Sequence, residues 1–545
     1  MRGVSCRFLL AVIGLISGWS ASEAQTPVNG GTLVVALPAD IQRTDSALTS
    51  DTNSAYVMGQ VMQGLVGPKP GAIGEVVPLL ASRWDISPDG RVYTFTLRSG
   101  IKFHDGTDFN ADAVKFNYDR WLHLPDAYAK LQYTFLIDIA LKPVVESVTV
   151  NSPTELVITL KKPDSAFLTT QTSPQFGIAS PQALQAGGAS DPDIAKNTYA
   201  QGGPTALTGT GPFKFKEWVP GDHVTLVKNP DYWDGANAAH LDAIKFETSF
   251  ADSTATLNAL LSGGIDVAQI MAPVDNKAAA ADPKLVALDR GGSCNLFHLA
   301  MNQTNKPFDN AKIRRAVAYA INKQAIISAF YNGQAILADN WMPPGLFAYK
   351  PLNLPGYDPD KAKALIAESG VSDLSFDFYY PSNVARPYMP DPKGEFQAIL
   401  SDLEAVGFKP NPKTLVWSPD YLKATAGHLP MYVFGTTCDW AGTDNFINAI
   451  LFGYRTLKDG SFGPNSRYDE KNDEMQKEIE AALSSPTADE AAGHWGKAQD
   501  LIAADMPTVP ILHSKPPAVM QAYVKGFAPS ATLLEFYNTV WITPH

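Results

Sequence analysis

Residues 431–446 constrain the fold of this 545-residue chain more than any other stretch. The stretch begins with a short apolar run, 431–434, that is typical of a buried strand, and it then crosses Gly435 into a small polar segment. A helical pattern follows at once, with Thr443 or Asp444 suited to cap it. A strand that leads through a polar loop directly into a helix predicts an α/β fold, in which ligands bind at the carboxyl ends of strands.

Two side chains of this polar segment are candidates for ligand contact. A carboxylate at Asp439 could bind a cation, and the indole of Trp440 could cover an apolar group. The alternative is that Asp439 and Asp444 are helix caps or turn residues and that Trp440 belongs to the core. From this stretch alone we favour the structural alternative.

Length and composition indicate an ordinary globular protein of several domains. The chain is 45% apolar and 18% charged, and a length of 545 residues favours about two to four domains. The formal net charge of -12 argues against a nucleic-acid-binding surface, which requires a basic face. We therefore expect no nucleic-acid partner.

The first 24 residues have the pattern of a secretory signal peptide. Arg2 and Arg7 precede an apolar run over 8–19, and small residues before Ala24 fit cleavage there. The apolar run is too short to span a bilayer, and Cys6 precedes it, so no lipid-attachment cysteine follows. We expect an exported mature protein without a membrane anchor.

The mature chain has two cysteines, Cys294 and Cys438. Two are too few for a disulfide framework, and a chain of this size needs none. Their spacing leaves both a pair of buried free thiols and one disulfide open, and of the two we expect free thiols.

Strand and helix patterns alternate along the rest of the chain. Residues from about Gly71 to Gly202 predict an α+β lobe, with turns at 87–90 and a helix capped by Asn110. A new lobe begins near Gly291. The whole pattern predicts a mixed α/β architecture.

The sequence contains no convincing catalytic or metal-binding motif. The nine histidines are scattered, without the His-Glu-x-x-His spacing of a zinc site, and no Gly-x-Ser-x-Gly elbow is present. We expect no cofactor, no metal and no enzymatic activity. A secreted hydrolase is the best alternative from another functional class, although no local motif supports it.

Arg386 and Asp439 are the best candidates for a binding role. An arginine presents a planar fork of donors suited to a carboxylate, and an aspartate can hold an ammonium group, so together they suit a zwitterion. For each residue, a surface charge or a salt bridge between the two is the structural alternative.

Five motifs follow one another over nearly the whole mature chain. They are Pro78-Leu79-Leu80-Ala81-Ser82-Arg83-Trp84-Asp85-Ile86-Ser87-Pro88-Asp89-Gly90, Leu97-Arg98-Ser99-Gly100-Ile101-Lys102-Phe103-His104-Asp105-Gly106, Gly209-Thr210-Gly211-Pro212-Phe213, Asn229 with Tyr232-Trp233, and Lys312-Ile313-Arg314-Arg315-Ala316-Val317. In sequence and in order they resemble the motifs of the periplasmic solute-binding proteins of peptide-type ABC transporters, most closely the dipeptide-binding branch.

The resemblance implies a bilobed periplasmic-binding-protein fold of type II, cluster C, with an extra inserted domain. The implied domains are a lobe I core from 25–70, 203–290 and 515–545, an inserted α+β domain at 71–202, and lobe II at 291–514. The implied function is the capture of dipeptides or short peptides by a periplasmic monomer that delivers them to an ABC permease. A nickel chelate, haem, glutathione or an oligosaccharide is the alternative ligand on this scaffold.

The resemblance also implies roles for individual residues. Arg386-Pro387-Tyr388 matches the family motif whose arginine holds the peptide carboxylate, and Asp439 matches the aspartate that holds the amino group. Trp440 stands where the family's usual Asn-Gly-Asp-Pro begins, and it is expected to narrow the pocket. Thr49, Trp417 and Gly435 are further pocket candidates by position.

Overall fold

The computed structural model describes residues 26–49, 51–129, 134, 136–426, 429–456, 462–464 and 472–545. The predicted signal peptide lies outside these residues. The strands are β1 (Thr32–Ala36), β2 (Val66–Pro68), β3 (Val76–Pro78), β4 (Ala81–Ile86), β5 (Val92–Leu97), β6 (Val145–Ser152), β7 (Glu155–Leu160), β8 (Phe213–Val219), β9 (His223–Lys228), β10 (Ala243–Glu247), β11 (Val267–Ala268), β12 (Leu285–Leu288), β13 (Asn295–Met301), β14 (Ala335–Leu337), β15 (Ser375–Ser382), β16 (Lys409–Val416), β17 (Met431–Thr437), β18 (Tyr454–Thr456), β19 (Phe462–Pro464), β20 (Thr508–Ser514), β21 (Ala518–Gln521), β22 (Val524–Lys525) and β23 (Trp541–Ile542).

Helices connect and cover these strands. The α-helices are α1 (Thr52–Val61), α2 (Ala111–Leu122), α3 (Asp126–Ala129), α4 (Phe167–Thr170), α5 (Pro181–Ala186), α6 (Ser253–Ser262), α7 (Pro273–Ala279), α8 (Ala311–Ala320), α9 (Lys323–Phe330), α10 (Pro359–Ser369), α11 (Pro392–Ala405), α12 (Leu422–Ala426), α13 (Asp473–Ser484) and α14 (Ala488–Asp505). Shorter 3₁₀ or π-helical segments are Ser46–Leu48, Ile137–Leu141, Pro174–Phe176, Ile194–Lys196, Tyr199–Gln201, Gly235–Asn237, Trp417–Tyr421 and Asn445–Phe452.

A seven-stranded sheet with the helices packed on it forms what we call lobe I. Its strand order is β12-β21-β11-β1-β10-β9-β8, and β1 runs parallel to both β10 and β11. Alternate residues of β1 point to opposite faces, because side chains in a strand repeat every two residues. Leu33 and Val35 pack with Val57 of α1, and Ala36 packs with Leu260 of α6. Lobe I is therefore a sheet with a core on each face.

A four-stranded antiparallel sheet is inserted in the chain between β3 and β8. Its order is β4-β5-β7-β6. The apolar alternation that predicts these strands is also what buries them: Phe95 of β5 and Ile158 of β7 pack against Val114 and Trp121 of α2. We call this sheet together with α2 the inserted layer.

A six-stranded sheet with its helices forms what we call lobe II. Its order is β14-β20-β13-β17-β15-β16. β15 runs parallel to β16 and to β17, while β13 runs antiparallel to β17 and β20. Every residue of β13 is buried, because α8, α9, α11 and α14 contribute to the large core on the sheet. The parallel trio β17-β15-β16 is the part of lobe II that positions the candidate site.

The chain passes between the two lobes at 289–294 and at 515–517. The first segment joins β12 to β13 and the second joins β20 to β21, and these strands are neighbours in both sheets. Arg290 ties the two segments together, since its Nε donates to the carbonyl of Pro516 at 2.9 Å. Ser293 Oγ donates to the carbonyl of Ser514 at 2.7 Å. We call 289–294 and 515–517 the hinge segments.

The expectation of free thiols is wrong, because Cys294 and Cys438 form a disulfide. Asn295 pairs with Thr437 in the antiparallel register of β13 and β17. Cys294 directly precedes Asn295 and Cys438 directly follows Thr437, so this pairing places the two cysteines side by side. Their Cα atoms are 5.5 Å apart. The bond joins the end of a hinge segment to the end of β17.

The capping residue predicted after β17 is also wrong. Asp444 occupies the N-cap position of helix Asn445–Phe452, but its side chain makes no cap hydrogen bond. Thr443 Oγ1 donates instead to the carbonyl of Phe347. The cap predicted at Asn110 is confirmed, since its side chain accepts from Ala113 N. Within the described residues, none of the helices has the length and apolarity needed to cross a bilayer.

Candidate functional site

Three of the predicted site residues follow the carboxyl ends of three adjacent parallel strands. Arg386 lies beyond β15, Trp417 directly follows β16, and Asp439 lies two residues beyond β17. Because β15 is parallel to both of its neighbours, these strand ends lie at the same edge of the six-stranded sheet. This is the edge at which α/β sheets bind ligands.

Arg386 has a free charge next to an aromatic ring. Its guanidinium carbon lies 4.7 Å from the centroid of the Trp417 ring, within the range of a cation–π contact. Within the described part of the chain it has no ion-pair partner, and its buried Nε has no hydrogen-bond acceptor. The guanidinium therefore keeps donors that a ligand carboxylate could use.

The loop that carries Arg386 is held firmly. The backbone groups of Arg386 and Met389 bond each other at 3.0 and 2.9 Å, and Tyr331 Oη donates to the carbonyl of Tyr388 at 2.8 Å. The ring of Tyr388 packs against Gly435, where any Cβ atom would collide with that ring. Gly435 thus acts through packing, because only glycine leaves room for the Arg386 loop.

Trp417 belongs to a group of stacked rings on lobe II. Its ring centroid lies 5.9 Å from that of Tyr421 and 5.8 Å from that of Phe434, with interplanar angles of 24° in both pairs. These offset stacks hold the partly exposed Trp417 ring beside the Arg386 guanidinium, while Tyr421 and Phe434 are buried beneath it. The Trp417 ring suits an apolar ligand side chain next to a carboxylate.

Asp439 is a partly buried carboxylate without an ion-pair partner among the described residues. Desolvation raises its pKa to about 6, and a polar contact with the Asn445 side chain opposes part of this rise. The preceding residue is bonded to Cys294, and Cys438 N donates to the carbonyl of Cys294 at 2.8 Å. A cation at Asp439 would relieve the cost of burying its charge.

Trp440 lies in the core of the inserted layer and not at an open surface. It is 3% exposed and packs with the buried residues of that layer. Its Nε1 donates to both carboxylate oxygens of Asp444, at 3.1 and 2.9 Å. Trp440 therefore belongs to a core, as the structural alternative predicted. It also joins lobe II to the inserted layer.

Two carboxylates near this junction, the buried Asp444 and the partly buried Asp164, have raised pKa values. Burial raises the pKa of Asp444 to about 7, and the nearby carboxylate of Asp164 raises it further. Burial likewise raises the pKa of Asp164, which follows β7, to about 6, although Lys162 lowers it in part. Both groups thus titrate near neutrality because each is desolvated.

Thr49 lies in the segment that precedes α1. It is buried, and its Oγ1 donates to Asp51 Oδ2 at 2.6 Å. Asp51 in turn caps α1 by accepting from Ser54 N at 2.9 Å. The described contacts give Thr49 a role at the start of α1.

Sequence analysis missed Tyr56 and Arg290. Tyr56 lies in α1, and burial raises its pKa to about 12, while the positive charges of Arg290 and Arg386 oppose part of this rise. The helical spacing of apolar residues in α1 predicts that Val57 and Val61 lie in the core, where the structure places them. No sequence signal indicates that the charge of a residue 330 positions away acts on a tyrosine beside that stripe.

The motifs that carry the resemblance meet away from this edge. His104 and Asn229 both bond the carbonyl of Gly211, at 3.0 and 2.9 Å, and Trp233 Nε1 donates to Gln63 at 2.8 Å. The His104 contact joins the segment between β5 and α2 to lobe I, and the other two contacts lie within lobe I. Among the described residues, no group of three or more histidine, cysteine or acidic side chains could hold a metal ion.

The chain is similar to solute-binding proteins over nearly all of its length. The family model described as bacterial extracellular solute-binding proteins, family 5, middle, matches residues 75–457. Heme-binding protein A of Haemophilus influenzae is 29% identical over 523 residues, which are 93% of this chain and 92% of that protein. A dipeptide-binding protein of Pseudomonas aeruginosa is 29% identical and matches 83% of this chain and 84% of its own length. Glutathione-binding protein GsiB of Salmonella typhimurium is 35% identical over 67% of this chain and 66% of its own length.

Solved structures show the same fold. The periplasmic binding protein DppA of Helicobacter pylori, in complex with the peptide STSA, has a TM-score of 0.79 and 27% identity, covering 95% of this chain and 99% of its own. HbpA2 of Haemophilus parasuis has a TM-score of 0.79 and 27% identity, covering 94% and 100%. The predicted bilobed α/β fold is confirmed.

Proposed function

The chain belongs to the bacterial extracellular solute-binding proteins, family 5, and from this premise we propose that it captures dipeptides and other short peptides between its lobes for an ABC importer. The observation that carries the proposal is the pair Arg386 and Asp439. These opposite charges lie beyond the ends of the adjacent parallel strands β15 and β17, and within the described residues neither has an ion-pair partner. Relatives named for dipeptides, and a structure in complex with a peptide, support the ligand class.

Each end of a dipeptide has a complementary group at this edge. Asp439 holds the ammonium group, which stabilises the charged form of a carboxylate that is otherwise desolvated. Arg386 holds the carboxylate through charge-assisted hydrogen bonds. The flat face of Trp417 lies beside Arg386 and contacts the adjacent ligand side chain. Gly435 contributes by admitting Tyr388 and hence the Arg386 loop.

Binding is coupled to closure of the lobes about the hinge segments. The segments 289–294 and 515–517 run side by side, so small backbone rotations there would move lobe II relative to lobe I. A ligand that contacts both lobes favours the closed form by its differential affinity for that form. The closed form then presents both lobes to the permease.

We make further inferences about the location and assembly of the protein. We infer that residues 1–24 are a signal peptide cleaved near Ala24, that the mature protein is a periplasmic monomer, and that its membrane partner is an ABC permease. The family description names solute-binding proteins and not enzymes, which argues against a secreted hydrolase.

Haem and glutathione are the alternative ligands, because relatives of comparable similarity are named for them. Glutathione also contains an ammonium group and carboxylates, so it would use the same pair of charges. Haem has carboxylates but no ammonium group, so it would use Arg386 and the stacked rings without Asp439.

The proposal is tested with one dipeptide in three forms. Isothermal titration compares Ala-Phe with its N-acetyl derivative and its C-terminal amide, and haem and glutathione are titrated in parallel. We expect each blocked terminus to weaken binding by about 100-fold or more, because a buried charge is left without its partner. Native mass spectrometry of the purified protein identifies any ligand that remains bound.

The outcomes separate the alternatives. Equal affinity for the free and N-acetylated dipeptide would reject the role of Asp439, and equal affinity for the amide would reject the role of Arg386. Binding of haem alone would reject the peptide assignment. Time-dependent cleavage of Ala-Phe would support the hydrolase.

A further inference from the structure

The Arg386 loop, residues 386–389, is fixed to the rest of lobe II at two points. The backbone groups of Arg386 and Met389 bond each other at 3.0 and 2.9 Å, which closes the loop on itself. One anchor is the ring of Tyr388, which packs against Gly435 of β17. The other anchor is the carbonyl of Tyr388, which accepts from Tyr331 Oη at 2.8 Å. The position of Arg386 therefore depends on both anchors.

Tyr331 reaches the loop from a different element of lobe II. It directly follows α9, is 1% exposed and belongs to the core of that lobe. Its bond to the carbonyl of Tyr388 is thus made away from water, where hydrogen bonds are electrostatically stronger. Loss of the Tyr331 hydroxyl takes a donor away from a buried carbonyl, which is costly.

The Tyr331 hydroxyl keeps its proton directed at Tyr388 because the neighbouring Glu395 is uncharged at neutral pH. A Cβ atom at Gly394 would lie 2.7 Å from Cε1 of Phe330, so the first turn of α11 packs on the end of α9. Burial raises the pKa of Glu395 to about 8, although the Tyr331 side chain opposes part of this rise. Burial also raises the pKa of Tyr331 well above its usual value. At pH 7 the phenol is therefore a donor, and no carboxylate competes for its proton.

The guanidinium of Arg386 relies on its loop for correct placement. It lies 4.7 Å from the centroid of the Trp417 ring, and its Nε is buried without an acceptor. Among the described residues no carboxylate holds it by an ion pair. A binding group must be held to within about 0.5 Å of its productive position by the residues behind it. For Arg386, that support comes from Trp417 and from the anchored loop.

We propose that Tyr331 is a positioning residue for the ligand carboxylate, and that its hydroxyl holds the Arg386 loop where the guanidinium can distinguish a free carboxylate from an amide. Paired charge-assisted hydrogen bonds are strong and require a specific geometry. A displaced guanidinium therefore costs the acid more than the amide. This inference rests on the proposed function, and it assigns part of the ligand selectivity to a residue that acts through Arg386.

The test compares Tyr331→Phe with Tyr128→Phe. Tyr128 is the matched control, because it is also fully buried and its hydroxyl also donates to a backbone carbonyl, that of Asp191, but it lies in the core of the inserted layer. Isothermal titration at pH 7 measures Ala-Phe and Ala-Phe amide with the parent and both variants. The same titrations with Arg386→Ala, alone and combined with Tyr331→Phe, complete a double-mutant cycle. Thermal unfolding of the ligand-free proteins is recorded alongside.

We expect Tyr331→Phe to weaken Ala-Phe binding by about 3- to 10-fold and amide binding by less than about 2-fold. The ratio of acid to amide affinity therefore falls, whereas Tyr128→Phe leaves it unchanged. In the Arg386→Ala background, Tyr331→Phe should have no effect on Ala-Phe binding. A merely structural role would weaken both ligands alike and would persist without Arg386.

An unchanged ratio, or an equal loss with and without Arg386, would overturn the inference. A Tyr331→Phe protein that is unfolded at the titration temperature would assign the hydroxyl to folding and would also overturn it. A parent that binds the acid and the amide equally would instead refute the role of Arg386 in the proposed function. A parent that prefers the acid, with a Tyr331→Phe variant that keeps the same preference, would refute this inference alone.

Discussion

Among the described residues, Arg386 differs from the fully buried arginines in having no ion-pair partner. The others are paired with carboxylates, as expected for charges removed from water. They are Arg120 with Asp45, Arg290 with Glu535 and Arg314 with Asp505. Arg386 and Asp439 have no such partner in the described residues, and both follow the ends of neighbouring parallel strands. This contrast is the reason for proposing that the two residues bind a ligand.

The raised pKa of Asp439 predicts that peptide binding depends on pH. The pKa is about 6 in the ligand-free protein, and a bound ammonium group would lower it. Only the ionised carboxylate binds the ammonium, so affinity is highest above about pH 7 and falls as the pH drops through about 6. Below that value we expect a loss approaching 10-fold per pH unit. Isothermal titration of Ala-Phe between about pH 5 and 7 measures this, since the peptide termini keep their charges there.

Asp439→Asn is the control for this dependence. Asp444 and Asp164 have pKa values of about 7 and about 6 and titrate in the same range. If Asp439 is responsible, the variant binds weakly with an affinity that changes little with pH. A variant that keeps the full pH dependence would assign the effect to the other two carboxylates.

Some of the candidate site residues can be identified from the sequence, and the structural role of others cannot. Arg386 and Asp439 can be identified as candidates from the resemblance, because short motifs surround them. The placement of Trp440 in the inserted layer cannot be identified in this way, since the other buried residues of that core cluster lie far earlier in the chain, between Ala47 and Ala200.

At the scale of elements, β17 shows what a pattern predicts and what it leaves open. The apolar run at 431–434 predicts the strand, and the observed strand extends to Thr437. Periodicity does not give the neighbours of a strand or its register. The pairing of Asn295 with Thr437 is what brings Cys294 to Cys438, so the disulfide was not predictable from cysteine spacing.

The disulfide should stabilise both the fold and the site. It joins residues 144 positions apart, and closing a loop of this size stabilises a protein by typically about 2–4 kcal/mol. It also lies directly before Asp439. We expect the double variant Cys294→Ser, Cys438→Ser to unfold at lower denaturant concentration and to bind Ala-Phe more weakly than the parent.

A reductant provides the matched comparison for the disulfide. Dithiothreitol should lower the denaturation midpoint of the parent and leave that of the double variant unchanged. An identical unfolding free energy for parent and variant would contradict a structural role for this bond.

At the scale of the whole molecule, the lobes are joined by the hinge segments and by contacts of the inserted layer. Trp440 of lobe II packs in the inserted layer, and Ser165 N donates to the carbonyl of Leu483 at 2.8 Å. The domain limits at 71–202, 291–514 and the three lobe I segments stay a prediction. Strand patterns indicate the sheets, but the way in which separate chain segments share lobe I follows from the resemblance and not from periodicity.

The central claim is that Asp439 and Arg386, together on one sheet edge, bind the two ends of a short peptide as the lobes close. The most direct test is a crystal structure of the protein with bound Ala-Phe. The account predicts the ammonium group within hydrogen-bond distance of the Asp439 carboxylate and the carboxylate within that distance of the Arg386 guanidinium. A bound peptide that touches neither side chain, with both directed away from the space between the lobes, would contradict it.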